Sequence, residues 1–462
     1  MTSLNEALSL FMPENPEMRE LILKYIQKTP KSMQIYKKAL SRLPGGVESP
    51  VRYNSPYPLY IVKSKGSRLY DADGNSYIDY NLAFGLMIAG HSHPKINEAV
   101  KEQVELGSMY GFPSETSVKL ANEINKRYPV AEMVRFCNSG SEAVQAAVRL
   151  ARAYTNKDKI VKIEGCFHGC IDPLFCSIHT PKGQEGPRWA PSLVPESLGI
   201  PKSAFNDIVI APFNDIEALE KILVKNEGQI AAVILEPIIG SLGVIPPEPN
   251  YLKQLRKLTR EHNVLLIFDE VKTGCRVAYG GAAQLYNVEP DIIVLGKVIG
   301  GGYPLSAFGA KSELMNMIAP KGEVWQMGTY NANPVSVVAG LTCLKDIMTE
   351  DKYKYLNTVS DELFNGLKQI AQDAKIKASA EWVGSFGCIR FTDKKIRNYR
   401  DFQETLNEEL YDMFWKGMML NGVLISGPSA VNDIVLSIAH TREDINTTLE
   451  AAKNVFNILK KL

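Results

Sequence analysis

Gly165 to His179 reads GCFHGCIDPLFCSIH and sets Cys166, His168, Cys170, Cys176 and His179 within fifteen positions, in a chain holding seven cysteines and six histidines. Thiols and imidazoles so close raise metal coordination, yet their spacings match no standard zinc pattern, and no metal is expected. Two more reactive groups stand at the ends of apolar runs. VLLIFDE ends on Asp269 and Glu270, and DIIVLG is followed by Lys297 and a glycine run at Gly300, Gly301 and Gly302. A carboxylate in that position needs a cation or several donors, an arginine pair being the plain structural alternative. An ammonium among apolar residues is the kind that serves as an amine in Schiff-base chemistry, because desolvation disfavours its charged form. A lysine that merely snorkels outward is the alternative there. A third feature is NSGSEA, placing Ser139, Gly140 and Ser141 where a helix begins. Free backbone N–H groups and the helix dipole attract a phosphate at such a place, although a simple cap explains the serines of this stretch alone.

Something must carry these groups to one place. Between residues 130 and 310, short β-rich runs (MVRFC, KIVKI, AAVILEP, VLLIFDE, DIIVLG) recur with helical text such as SEAVQAAVRLARAY and YLKQLRKLTREHN between several of them. That rhythm predicts an α/β fold with a mostly parallel central sheet, helix-covered on both faces because the runs are continuously apolar. Ligands bind outside the carboxyl ends of such strands, where Asp269, Lys297 and the NSGSEA turn all stand. Before this region, Met18, Leu21, Ile22, Tyr25 and Ile26 recur at helical spacing, and two extended runs flank the turn signal DADGN. After residue 345, helix-like text surrounds two more strand-like runs, FGCIRF and DIVLSIAH. The expected organisation is an N-terminal segment with part of a smaller α+β domain (1–84), a large domain (85–344) and the remainder of the small domain (345–462).

Composition limits the alternatives. The chain has 462 residues, 45% hydrophobic and 22% charged, with a formal net charge of +1. There is no basic excess to hold nucleic acid, and no run reaches the roughly 18 apolar residues of a membrane span. Odd, scattered cysteines argue for thiols in a reducing compartment and, with no basic leader at the start, for a cytoplasmic location. GKVIGGG lacks the first glycine of a P-loop, and no G-x-G-x-x-G opens a helix after a strand. An anion cradle, a strand-end acid and a strand-end lysine together fit pyridoxal 5'-phosphate, which needs a phosphate site, a carboxylate for its ring nitrogen and an amine for its aldehyde.

The segments LPGGVESPVR, YDADGNSYIDY, GHSHP, NSGSEA, EGCFHG, EPIIGSLGV, IFDEVKTGCR, VLGKVIGGGYP and GTYNANP resemble the class III aminotransferases, and within them the branch containing glutamate-1-semialdehyde aminomutase. The likeness runs from about residue 33 to 460. It implies a fold type I large domain, a homodimer, Lys297 as the lysine joined to the cofactor aldehyde and Asp269 as partner of the ring nitrogen. It further implies that Ser139, Gly140 and Ser141 hold the phosphate with Thr329 of a second copy, and that Phe167 and Val271 cover the two ring faces. His168 and Glu236 belong to the cofactor's surroundings on the same ground. His91 and His93 of GHSHP are expected to shape a loop near the domain junction.

Substrate contacts are expected at Arg52, Phe84 and Ser241. Arg52 aligns with an arginine that binds a substrate carboxylate in this branch, a surface salt bridge being the alternative. Several positions depart from the aminomutase: Ser241 replaces an asparagine, Phe84 a tryptophan, Lys272 an apolar residue, and Asn432 stands about where a glutamate does. The segment from about Thr180 to Asp207 is also longer. These departures favour transfer between an amino acid, a β- or other non-standard one included, and a 2-oxo acid. Intramolecular transfer by a glutamate-1-semialdehyde 2,1-aminomutase is second, and a non-catalytic dimeric homologue third.

Overall fold

The computed structural model describes residues 13–427 and 433–461. Three short strands come first, β1 (Ile61–Lys65), β2 (Arg68–Asp71) and β3 (Ser76–Asp79), paired antiparallel. The first of the two extended runs expected here is broken into β1 and β2 at Gly66, whose φ of +58° turns the chain. Gly66 exchanges two 2.8 Å backbone hydrogen bonds with His91, and the His91 ring lies 2.7 Å from Asp79 Oδ2. GHSHP is thus a loop stitched to this sheet.

The centre is a seven-stranded sheet of β4 (Met133–Cys137), β5 (Lys159–Ile163), β6 (Ile208–Ala211), β7 (Ile230–Leu235), β8 (Leu265–Glu270), β9 (Ile292–Leu295) and β10 (Ser306–Ala310), in the order β4-β10-β9-β8-β7-β5-β6. Only β10 runs antiparallel to its neighbours. Every residue of β7 is buried, the mark of a sheet covered on both faces. Strands β6 and β10 have no counterpart among the predicted runs. The text of β10, SAFGA, is small rather than β-branched because the site leaves no room: a Cβ on Gly309 would lie 2.7 Å from Ala131 Cβ.

The chain ends meet. β13 (Val423–Leu424) pairs parallel with β3, while β14 (Asp433–Val435) completes a three-stranded sheet with β11 (Ser379–Val383) and β12 (Phe386–Arg390). Helix α1 (Pro16–Lys28) starts on a good signal, since Asn15 accepts from the N–H groups of Glu17 and Met18 and Pro16 is the first helical residue. It buries Met18, Leu21, Ile22 and Tyr25, each a gain of about 1.5–3 kcal/mol before ordering entropy is subtracted. The face docks on the same chain's helix Glu408–Leu420: Asn15 bonds Glu409 at 2.8 Å and Lys28 bonds Leu420 O at 3.0 Å. Among the described residues no helix is long and apolar enough to cross a membrane.

Candidate active site

Strand register brings the strand-end groups together. On the parallel pair β8 and β9, Asp269 faces Val294 and Glu270 faces Leu295, so Lys297, two residues past the register point, lies beside the end of β8. Glu270 is structural. Buried and accepting from Ala282 N, Ala283 N and the Thr273 hydroxyl, its carboxyl is pushed up to about 7 by desolvation. Asp269 is differently held: Oδ1 accepts from Val271 N at 3.1 Å, and Oδ2 lies 2.8 Å from His168 Nδ1. The partner of this buried carboxylate is therefore an imidazole, not an arginine. With Nδ1 donating to the carboxylate, His168 Nε2 is a buried ring atom without a hydrogen-bond partner among the described residues.

Lys297 follows the extended Gly296 and takes φ = +46°, a left-handed backbone that is uncommon for a residue with a side chain. Half-buried by its own surface, its ammonium is pushed down to about 8, first by desolvation and then by the charge of Lys272. Asp269, Glu236 and Asp433 oppose that shift.

The residues expected to hold a phosphate open helix α2 (Gly140–Thr155). Ser139 is its cap, Oγ accepting from Glu142 N at 3.3 Å, so the plain capping role is realised. Ser306 Oγ on β10 fixes Ser139 by donating to its carbonyl at 2.6 Å. Ser141 Oγ accepts from Cys170 N at 3.2 Å, and Gly169, at φ = +82°, passes so close that an added Cβ would sit 2.2 Å from that Oγ. GCFHG is thereby clamped to the helix start. A Cβ on Gly140 would lie 3.2 Å from both Val271 methyls, which puts Val271 against the same turn.

Phe167 is 41% exposed and held by its backbone: its N–H donates to Glu236 Oε1 at 2.9 Å and to Ser241 Oγ at 3.0 Å. Glu236 also accepts from Gly240 N at 3.0 Å and from the Ser241 hydroxyl. Both its oxygens serve the loops that position Phe167 and Ser241. The cysteines Cys166 and Cys176 are buried, all seven are free, and no group of three or more His, Cys, Asp or Glu comes together for a metal among the described residues.

The remaining residues stand further out. Thr329 is exposed in a loop with Trp325, Met327 and Tyr330. Arg52 is exposed and paired with Glu48 at 3.2 Å, the salt-bridge alternative. Phe84 ends a run of left-handed residues, Leu82, Ala83 and Phe84 at φ = +47°, +53° and +60°. Asn432 lies outside the described residues. For Lys272, singled out in the sequence only as a departure, the structure adds partners, and Arg276 is a neighbour that sequence reasoning missed. Lys272 donates to Gly240 O and to Asp433, a buried carboxylate 161 residues away. Arg276, fully buried, donates to Gly85 O, Ser385 Oγ and Leu436 O and supports the strained turn from behind. Its place in IFDEVKTGCR was the only available signal.

A family model described as aminotransferase class-III matches residues 50–455. The glutamate-1-semialdehyde 2,1-aminomutase of Thermodesulfovibrio yellowstonii is 42% identical over 435 residues, 94% of this chain and 100% of that protein. An omega-transaminase from Sphaerobacter thermophilus superposes with a TM-score of 0.87 at 32% identity, covering 92% of this chain and 97% of that one. A transaminase with PLP bound gives 0.85 at 28% identity, covering 94% and 99%. The cofactor is pyridoxal phosphate, and the residues present fit it. A depressed amine, a carboxylate with both oxygens fixed by donors, and a capped helix start against which Gly169 packs too closely for a Cβ are what an aldehyde, a basic ring nitrogen and a phosphate require.

Proposed function

The chain belongs to the class III aminotransferase family, and from that premise we propose that it moves an amino group within one molecule, as a glutamate-1-semialdehyde 2,1-aminomutase does. The observation that carries this reading is end-to-end likeness to an enzyme of that name. It reverses the order expected from the sequence alone, where the departures around the substrate favoured transfer between two molecules.

Pyridoxal phosphate supplies a conjugated ring that accepts the electrons of a bond broken at the amino-bearing carbon. The chain's own residues do the rest. Lys297 Nζ takes a proton from the substrate carbon and returns one, which it does best with a pKa near the working pH. Asp269 keeps a proton on a basic ring nitrogen, and His168 Nδ1 and Val271 N hold its oxygens in place for that. The start of α2 neutralises phosphate charge, and Phe167 and Val271 confine a ring from opposite sides. The exposed loop with Thr329, Trp325, Met327 and Tyr330 supports a homodimer in which a second copy covers it and lends Thr329. Mass in solution tests that pairing, and a monomer would reject it.

Intermolecular transfer is the second reading, favoured by the changed substrate side: Ser241, Phe84 and the Lys272–Asp433 pair. One assay separates the two. Purified protein given glutamate 1-semialdehyde and no 2-oxo acid is expected to turn over repeatedly. Arrest after one amino transfer per site, relieved by a 2-oxo acid, would replace the first reading with the second.

A further inference from the structure

Loop 238–244 follows β7 and touches the Phe167 segment at two points. Ser241 Oγ accepts from Phe167 N at 3.0 Å, and Gly165, at φ = +83°, packs so close to Leu242 that an added Cβ would lie 2.7 Å from its Cδ1. The other side of the loop is held by cations. Lys272 donates to Gly240 O, while Arg390, buried on β12, donates from one nitrogen to Leu242 O at 3.0 Å and to Val244 O at 3.2 Å. Alternate carbonyls are thus gripped, and Cys388 Sγ on the same strand accepts from Val244 N at 3.4 Å. The grip leaves no slack. A Cβ on Gly240 would lie 2.6 Å from the Lys272 chain, and one on Gly243 would lie 3.1 Å from both the Arg390 guanidinium and Cys388 Sγ. Lys272 is itself held by Asp433 on β14, so each anchor leads to the three-stranded sheet of the C-terminal region.

We propose that Arg390, with Lys272, is a positioning residue for Phe167: the C-terminal sheet fixes loop 238–244 from behind, and the loop fixes the backbone of Phe167 in front. A charged donor to a buried carbonyl is stronger than a neutral one, and apart from Ser241 this loop is buried, so carbonyls that lose such donors must open to find water. Both acceptors of the Phe167 N–H belong to the same unit. They are Ser241 Oγ and Glu236 Oε1, and Glu236 also accepts from Gly240 N at 3.0 Å and from the Ser241 hydroxyl. Loosening Gly240 and Leu242 therefore reaches Phe167 through both acceptors and through the contact between Leu242 and Gly165. The purpose of this placement rests on reading Phe167 as the cover of one face of the pyridoxal phosphate ring. A C-terminal sheet that packed only as a separate layer would leave the Phe167 amide indifferent to Arg390.

The test reads one amide. Hydrogen–deuterium exchange of the full chain, cleared of cofactor with hydroxylamine, is followed by mass spectrometry with fragmentation to single residues, for the parent, Arg390→Met and Lys272→Met. Each variant is expected to speed exchange of the Phe167 N–H by about tenfold or more, with the amides of β8 at their parent rates. A Phe167 rate equal to the parent's, whether or not loop 238–244 itself exchanges faster, overturns the proposal, and so does acceleration spread equally over β8. Should Arg390→Met not fold, Lys272→Met decides alone. Cofactor is then restored, and the visible circular dichroism of bound pyridoxal phosphate is expected to fall in both variants. Faster exchange with unaltered dichroism would uphold the positioning of Phe167 and instead remove its ring from the cofactor.

Discussion

The side proposed for the cofactor and the side proposed for the substrate are built by different means. On the cofactor side, Asp269 and Lys297 leave adjacent parallel strands whose register fixes their separation, and Gly140 and Gly169 close the cradle by leaving no slack. On the substrate side, Phe84 rides a left-handed turn, Ser241 hangs from Glu236, and Lys272 finds Asp433 from far along the chain. A sheet edge tolerates little drift, so groups placed there keep a fixed separation. Loops that meet from distant segments can be altered one residue at a time, and there stand the positions that the resemblance marks as departures from the aminomutase.

The contrast breaks if the cofactor side proves tolerant. Lys297→Ala is expected to abolish turnover together with the yellow absorbance of the bound cofactor, and a variant working at normal speed would remove the lysine from its role. Asp269→Asn should retain the cofactor yet slow the reaction by about 10²–10⁴-fold, the usual range for losing a proton-holding group; unchanged single-turnover kinetics would move the carboxylate out of the mechanism. Arg276→Ala sharpens the comparison, since it strips donors from two buried carbonyls and a hydroxyl behind the Phe84 turn. A loss of about 3 kcal/mol in urea unfolding is expected, and less than 1 would mean the turn stands by itself. The smallest effect belongs to Arg52→Ala: stability within about 0.5 kcal/mol, as for an exposed pair, with any change confined to KM for a carboxylate substrate. A fall in kcat instead would bring Arg52 into the reacting centre.

Much of the sheet was legible because continuous apolar runs and the residue after each one are local properties of the text. MVRFC, KIVKI and VLLIFDE announce their strands, and Asp269 and Lys297 announce themselves at the ends. Strand β10 stayed hidden since its small residues answer to a close neighbour, Ala131, rather than to β propensity. Pairings across long stretches of sequence leave no local trace: His168 with Asp269 at 101 residues, Lys272 with Asp433 at 161. The long segment 180–207 is a similar case. The resemblance marked it as longer than its counterpart, but only the structure reveals that Tyr399 and Gln403 bond Thr180 O, while Arg400 bonds the carbonyls of Glu185 and Gly186. The segment is strapped to the helix Tyr399–Thr405 of the C-terminal region.

The guanidinium of Arg276 has one consequence for how the molecule is made. Its acceptors come from residues 85, 385 and 436, so a ribosome that has released only the first three hundred residues has given it the first and neither of the others. Until the last tenth of the polypeptide arrives, this cation lacks the Leu436 carbonyl and keeps water in its place, and the support behind Phe84 is incomplete. The setting of this turn is therefore a late event in the life of each nascent chain, and a product truncated before Leu436 would carry every strand of the central sheet while Arg276 still lacked one of its acceptors.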